Sequence, residues 1–218
     1  MALIDRRRRS AYGQAHQLTP IDRFGVWLSS RRIRSTVRDL EAKRVADVGC
    51  GYRATISRTL LDRVERLVLL DVALDPELLE HPRVTPIQGW LPDALSAIAD
   101  RSQDVVICNS VLEHLWEPLT VLQGLERILV PGGVLLVNVP SWRGKLLLEF
   151  SAFRLGNSPD EIDDHKMYYD PRDLWPLLVR AGFLPRDIRC FPHKFGLNTF
   201  ASCRKASRPY SIPGTEPS

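Results

Sequence analysis

The 218-residue sequence predicts an α/β protein built on a doubly wound sheet of seven strands, mostly parallel and closed by a C-terminal antiparallel hairpin. Three observations carry this. Short β-branched runs alternate with helix-period segments, the runs are too continuously apolar to leave one face in water, and the last two are separated only by residues 192–196.

The elements follow in order. Residues 18–40 place Ile21, Phe24, Trp27, Leu28, Ile33, Val37 and Leu40 at helical spacing, so an amphipathic helix leads into the core, with a break expected near Ser29 and Ser30. Strand-like runs lie at 44–48, 66–71, 84–88, 104–108 and 134–139, and helical patterns intervene at 54–63, 75–80, 92–99 and 117–129. Residues 141–170 break the rhythm. Asp170-Pro171 then opens a helix that runs to Ala181 and stops at Gly182, and runs at 184–191 and 197–204 finish the sheet. The resulting division is a basic arm with lead-in helix at 1–43, a main domain at 44–206 with an insertion at about 141–170, and a flexible tail at 207–218.

Composition narrows the class. With 44% hydrophobic residues, a chain this long can bury roughly 70% of its unfolded surface around one core, which excludes a disordered or coiled-coil protein. No run approaches the ~18 apolar residues of a spanning helix, and the start lacks the apolar stretch of a signal peptide, so a cytoplasmic protein is expected. Cys50, Cys108, Cys190 and Cys203 are too scattered for a metal clip or a disulfide framework, and no metal site is expected. The net charge of +4 hides basic ends around an acidic centre. Arg6, Arg7, Arg8 and Arg9 form a solvated arm that leaves room for peripheral membrane contact.

The chemistry concentrates at residues 45–54, Val-Ala-Asp-Val-Gly-Cys-Gly-Tyr-Arg-Ala, where a strand ends in a turn with two glycines and a helix follows. A ligand at this carboxyl edge is the expected arrangement in an open α/β sheet. Read as Gly-x-Gly-x-x-Ala, with Asp71 twenty residues after Gly51, the segment satisfies a relaxed dinucleotide fingerprint, and a nicotinamide cofactor stays open on that ground. Asp71 can accept hydrogen bonds from the ribose hydroxyls of any adenosine ligand. Asp47 adds a distinction: a carboxylate beside the ligand's tail repels a pyrophosphate and favours a cation.

Together, Val45 to Gly51, Asp71, Ser102 to Pro118 and Leu125 to Pro140 resemble the class I S-adenosylmethionine-dependent methyltransferases, in the group similar to ubiquinone and menaquinone methyltransferases. The resemblance covers about residues 40–140 and continues weakly to 206. It implies a Rossmann-like fold and S-adenosyl-L-methionine as cofactor. It further implies that Asp47, Gly49, Cys50 and Gly51 hold the methionine part, that Asp71 and Val72 hold the ribose, and that Asn109 and Ser110 lie under the methyl donor. Arg53 stands where the family often has a third glycine. Gly89-Trp90 stands where it often has an acid, so either adenine binding passes to backbone and an indole face or Trp90 is a core aromatic.

Methyl transfer needs alignment and exclusion of water, and an acceptor hydroxyl needs a base besides. His114 follows the fourth strand by one turn, and His165 lies in the insertion beside Tyr168 and Tyr169; these are the two candidate catalytic residues. Glu113 reads as a partner of backbone or of an arginine. His193 and Lys194, in the final loop, are expected to face solvent. The expected partner is a small-molecule acceptor, and nucleic acid is disfavoured because no Asn-Pro-Pro-Tyr-type sequence is present. The absence of a Tyr-x-x-x-Lys hydride site disfavours an oxidoreductase. A catalytically silent binding module is the remaining rival.

Overall fold

The computed structural model describes residues 11–14, 20–37, 39–146 and 165–207. Its seven-stranded sheet comprises β1 (Arg44–Val48), β2 (Arg66–Asp71), β3 (Val84–Gln88), β4 (Gln103–Asn109), β5 (Leu129–Pro140), β6 (Ile188–His193) and β7 (Asn198–Arg204), in the order β3-β2-β1-β4-β5-β7-β6. Pairing is parallel from β3 through β5, and β7 runs antiparallel to both β5 and β6. The chain order reverses between β1 and β4, and this switch point opens a crevice at the carboxyl edge.

Alternation within the strands divides two apolar layers. Ala46, Val48, Val68, Leu70, Val106 and Cys108 face one, and Val45, Leu67, Leu69, Val105 and Ile107 face the other. Over the first layer pack α3 (Pro118–Ile128) and α4 (Pro171–Arg180), through Val121, Leu122, Leu125, Leu174 and Leu178. Over the second lies α1 (Pro20–Thr36), through Ile33, together with a 3-10 turn at Ser57–Leu60. Both faces are dry, which is why the strands read as continuous apolar runs.

Four expectations need correction. The helical pattern at 54–63 collapses to the 3-10 turn at Ser57–Leu60, where Ser57 turns its hydroxyl onto Asp47. The pattern at 75–80 yields a single turn, α2 (Pro76–Leu79), because Pro82 disfavours helix at the residue before it. The pattern at 92–99 becomes a 3-10 turn at Asp93–Ala97, tied down by the Arg127 guanidinium, which donates to the carbonyls of Leu95 and Ile98. Finally, α1 runs unbroken through Ser29 and Ser30, both buried.

Within β5, Gly132 (φ +81°) and Gly133 lie where the pairing with β4 shifts register, and a Cβ on Gly133 would stand 2.9 Å from the Val130 carbonyl oxygen. The expected helix stop is present as Gly182 at φ +113°. Among the described residues, no helix is long and apolar enough to cross a membrane. The arginine run, most of the insertion (147–164) and residues 208–218 lie outside the described residues.

Candidate active site

The first part of the site is the β1 turn. Gly49 and Gly51 both adopt φ +75°, and the Gly49 N–H donates to the Leu70 carbonyl at 2.7 Å, which draws the turn against the end of β2. There the Asp71 carboxylate is already held. Gly51 N–H donates to Oδ2 and Val72 N–H to Oδ1, each at 2.7 Å. The Asp71 carbonyl accepts from Gly89 N–H at 3.0 Å, which brings β3's end to the same place. Trp90 follows, half-buried and outside both apolar layers, so its indole is not a core aromatic. Asp71→Ala should weaken binding of S-adenosylhomocysteine by about 1–3 kcal/mol, the cost of leaving hydroxyls unpaired, as read by calorimetry. Unchanged affinity would remove Asp71 from the site.

Asp47 departs from expectation. It shares the face of Val45, beneath the turn, where it is 2% exposed and accepts the Ser57 hydroxyl hydrogen bond; it does not lie open along the crevice. Burial, and the like charge of Asp71, push it up to about 7, against which the Ser57 bond acts. Cys50 sits between these acids, its thiol pushed up first by burial and then by both carboxylates, so it is no nucleophile at neutral pH.

A second buried group titrates in the opposite sense. His193 packs edge-on against Phe200 at 5.8 Å, and burial with Arg32 and Lys194 pushes it down to about 4. Below pH 6.5 the unfolded chain binds a proton here that the folded chain refuses, so this group makes stability rise from pH 4 to 6.5. Asp47 holds a proton in the fold that the unfolded chain has lost, so it makes stability fall between about pH 4 and 7. The two largely cancel. Relative to the parent, Asp47→Asn should give a steeper rise of stability with pH over pH 4.5–6.5, and His193→Phe a fall, each by roughly 2 kcal/mol. Urea unfolding across that range would check the signs.

The second part of the site is the end of β4. Asn138 Nδ2 donates to Asn109 Oδ1 at 3.1 Å, and Ser110 N–H donates to the Asn138 carbonyl at 2.8 Å, with Ser110 held at φ +57°. Asn109 is half-buried and Ser110 exposed at the edge. A 3-10 turn at Leu112–His114 follows. The Glu113 carbonyl then accepts from Lys166 N–H at 2.6 Å and Met167 N–H at 3.3 Å, and Tyr169 N–H donates to the Pro140 carbonyl at 3.0 Å. These bonds fasten the close of the insertion onto the β4 and β5 ends.

The two candidate histidines therefore meet. Their ring centroids are 4.8 Å apart at 58°, and His165 Nδ1 lies 3.1 Å from the Tyr168 hydroxyl. Trp142 packs on Tyr168 with ring centroids 5.6 Å apart and the planes tilted 45°, while its indole N–H donates to Asp173 at 3.2 Å. Asp173 also accepts from Asp170 N–H at 2.9 Å, so α4 is capped by its own acids. Glu113, buried and beside the pair, completes a set whose ligand atoms lie within 4.8 Å of one another. No metal was expected, yet these three residues offer donors of a kind that a divalent cation accepts.

An unforeseen element covers the turn. Residues 11–14 lie over Gly51, whose notional Cβ would be 3.2 Å from the Tyr12 carbonyl oxygen, and that carbonyl accepts from Tyr52 N–H at 2.9 Å. Only the buried Ala11, flanked by polar residues, marks this contact in the sequence, and it is too weak a signal to find it.

A doubly wound sheet with this strand order, a paired-glycine turn and an acid at the end of β2 is the arrangement of the class I S-adenosylmethionine-dependent methyltransferases, which this chain resembles. Residues 46–137, from β1 to β5, match the family described as a methyltransferase domain. A ubiquinone biosynthesis O-methyltransferase of Aeromonas salmonicida is 25% identical over 79% of this chain and 73% of its own length. A Mycolicibacterium smegmatis protein named "Probable S-adenosylmethionine-dependent methyltransferase" is 30% identical over 70% of this chain, which spans 56% of that relative. In fold, an S-adenosylmethionine-dependent methyltransferase from Archaeoglobus fulgidus superposes with a TM-score of 0.62, covering 83% of this chain and 94% of the other at 14% identity.

Proposed function

We propose that the chain methylates a hydroxyl oxygen of a small molecule: a sugar, a lipid-linked intermediate or a secondary metabolite. The observation that carries this reading is the meeting of His114 and His165 at the end of β4. When Nδ1–H of His165 donates to the Tyr168 oxygen, Nε2 keeps its lone pair and can accept the acceptor's proton. His114, against the same ring, can take part in that transfer or orient the hydroxyl. The O-methyltransferase names of relatives such as that of Aeromonas salmonicida support oxygen as the target.

On the cofactor side, Gly49, Cys50 and Gly51 offer backbone at close approach, and Asp71 with Val72 offers a held carboxylate. Gly89 and Trp90 border the adenine end, and Asn109 and Ser110 the methyl end. Asp47 acts from beneath the turn, where a bound cation would draw it into its ionised form. S-adenosylmethionine supplies an electrophilic methyl group on a positively charged sulfur, and the chain's own residues align the acceptor and remove its proton. Peripheral membrane contact through the arginine arm belongs to the same proposal, and nucleic acid does not.

Tritiated S-adenosylmethionine, incubated with the protein and a cell extract fractionated into sugars, lipids and small aromatics, tests the proposal. A labelled methyl ether stable to base is the expected product. Label found on nitrogen or carbon, or no labelled product in any fraction, would overturn it.

A further inference from the structure

The turn joining β6 to β7 lies at the edge where β4 and β5 end, since Asn198 pairs with Pro140. Its three residues, Lys194, Phe195 and Gly196, all adopt left-handed backbone, at φ +49°, +59° and +83°. Glycine takes that conformation freely; a lysine followed by a phenylalanine does so only where surroundings enforce it. Here the surroundings are specific. Ser141 Oγ–H donates to the Gly196 carbonyl at 2.7 Å, Ser141 N–H donates to the Leu197 carbonyl at 3.0 Å, and Gly144 packs so tightly on Leu197 that a Cβ would meet its carbonyl oxygen at 2.2 Å.

The strained turn has two results. Phe195 is left 82% exposed, and the Lys194 side chain is folded back toward α1 and the site. Its Nζ stands 3.7 Å from where a Cβ of Gly25 would be, so that glycine leaves the ammonium its room. The carboxylate that acts on it is Glu113, beside the two histidines. Among the described residues the ammonium makes no hydrogen bond or ion pair, although it is half-buried. Glu113 supplies a counter-charge without a hydrogen bond to it among the described residues, so the ammonium N–H donors can turn to a ligand oxygen.

We infer that Lys194 is an anion anchor for the acceptor: it binds a carboxylate or phosphate oxygen of the molecule whose hydroxyl is presented to His114 and His165, with Phe195 against that molecule's apolar part. This rests on the methyltransferase reading of the site and narrows its acceptor to an anionic one. Burial already draws the lysine down to about 8, and a bound oxyanion would restore its ordinary basicity.

The test uses the full chain and three probes titrated separately by NMR, with and without saturating S-adenosylhomocysteine: inorganic phosphate, benzoate, and uncharged benzyl alcohol. Perturbation of residues 25 and 194–197 by phosphate or benzoate, and not by the alcohol, is expected, and the arm that binds more tightly names the source of the oxyanion. Lys194→Met should weaken that binding about tenfold or more, Lys194→Arg should retain most of it, and both should bind S-adenosylhomocysteine like the parent. Binding of neither anion, or equal binding by Lys194→Met with its melting temperature preserved, would overturn the anchor. Failure of S-adenosylhomocysteine to bind would instead strike the methyltransferase reading, and the cofactor-free titrations would still judge the lysine.

Discussion

His165→Ala is expected to lower methyl transfer to a hydroxyl acceptor by about 10²–10⁴-fold, the usual worth of a positioned base, with little change in S-adenosylhomocysteine affinity. The asymmetry follows from position. His165 touches His114 and Tyr168, and neither contact reaches the Gly49–Gly51 turn or Asp71. His114→Ala should fall in the same range, and the double variant should lose little more than either single one, because the two rings act as a unit. Tyr168→Phe separates orientation from proton transfer: it removes the hydroxyl 3.1 Å from Nδ1 while leaving the ring that packs on Trp142. A moderate fall in kcat with unchanged KM is expected for it. Turnover, KM and calorimetric cofactor affinity, measured on each variant, decide the matter. Parent-like turnover in His165→Ala would return that residue to a structural role. A loss restored by an added divalent cation in His165→Asp would assign the cluster to metal binding.

Gly49→Ala should destabilise the fold by about 2–5 kcal/mol and weaken S-adenosylhomocysteine binding with it. Two separate costs add. An alanine at φ +75° is strained, and its Cβ would stand 2.2 Å from Val111 Cγ2, well inside contact distance. Val111 sits between the end of β4 and the Leu112–His114 turn, so the displacement would be passed to the candidate base. Adding Val111→Ala to Gly49→Ala should recover the steric part and leave the backbone part, a separation that urea unfolding of the four-member cycle would show. Equal stability of Gly49→Ala and the parent would mean that the turn relaxes freely.

How far the sequence reveals this arrangement differs by element. The bounds of β1, β2 and β3 are legible to the residue: β1 and β2 because buried parallel strands are apolar on both faces and end abruptly at charged or glycine-containing turns, and β3, a mostly exposed edge strand, because its β-branched residues stand out from the polar residues around it. The short connections at 54–63, 75–80 and 92–99 mislead, because their apolar residues recur at helical spacing while Ser57, Pro82 and Arg127 impose tighter turns. At the site, the glycine turn and Asp71 are local in sequence and were readable. The approach of His165 to His114 depends on backbone bonds from residues 166 and 167 to Glu113, which no periodicity encodes. Lys194 differs from its sequence reading for a similar reason: a loop lysine reads as solvated, and only the left-handed turn folds it inward. Strand alternation, which fixes the face of Asp47, places it under the turn.

The reversed direction of β7 governs where attachments can be tolerated. It carries the chain away from the reacting edge, so that Lys205 ends at the opposite rim, exchanging backbone hydrogen bonds with Gly132 and Gly133. Tyr12 at the other end rests on the glycine turn itself. A fluorophore or surface tether joined near Lys205 would stand clear of traffic through the crevice, whereas the same group joined beside Tyr12 would obstruct its mouth.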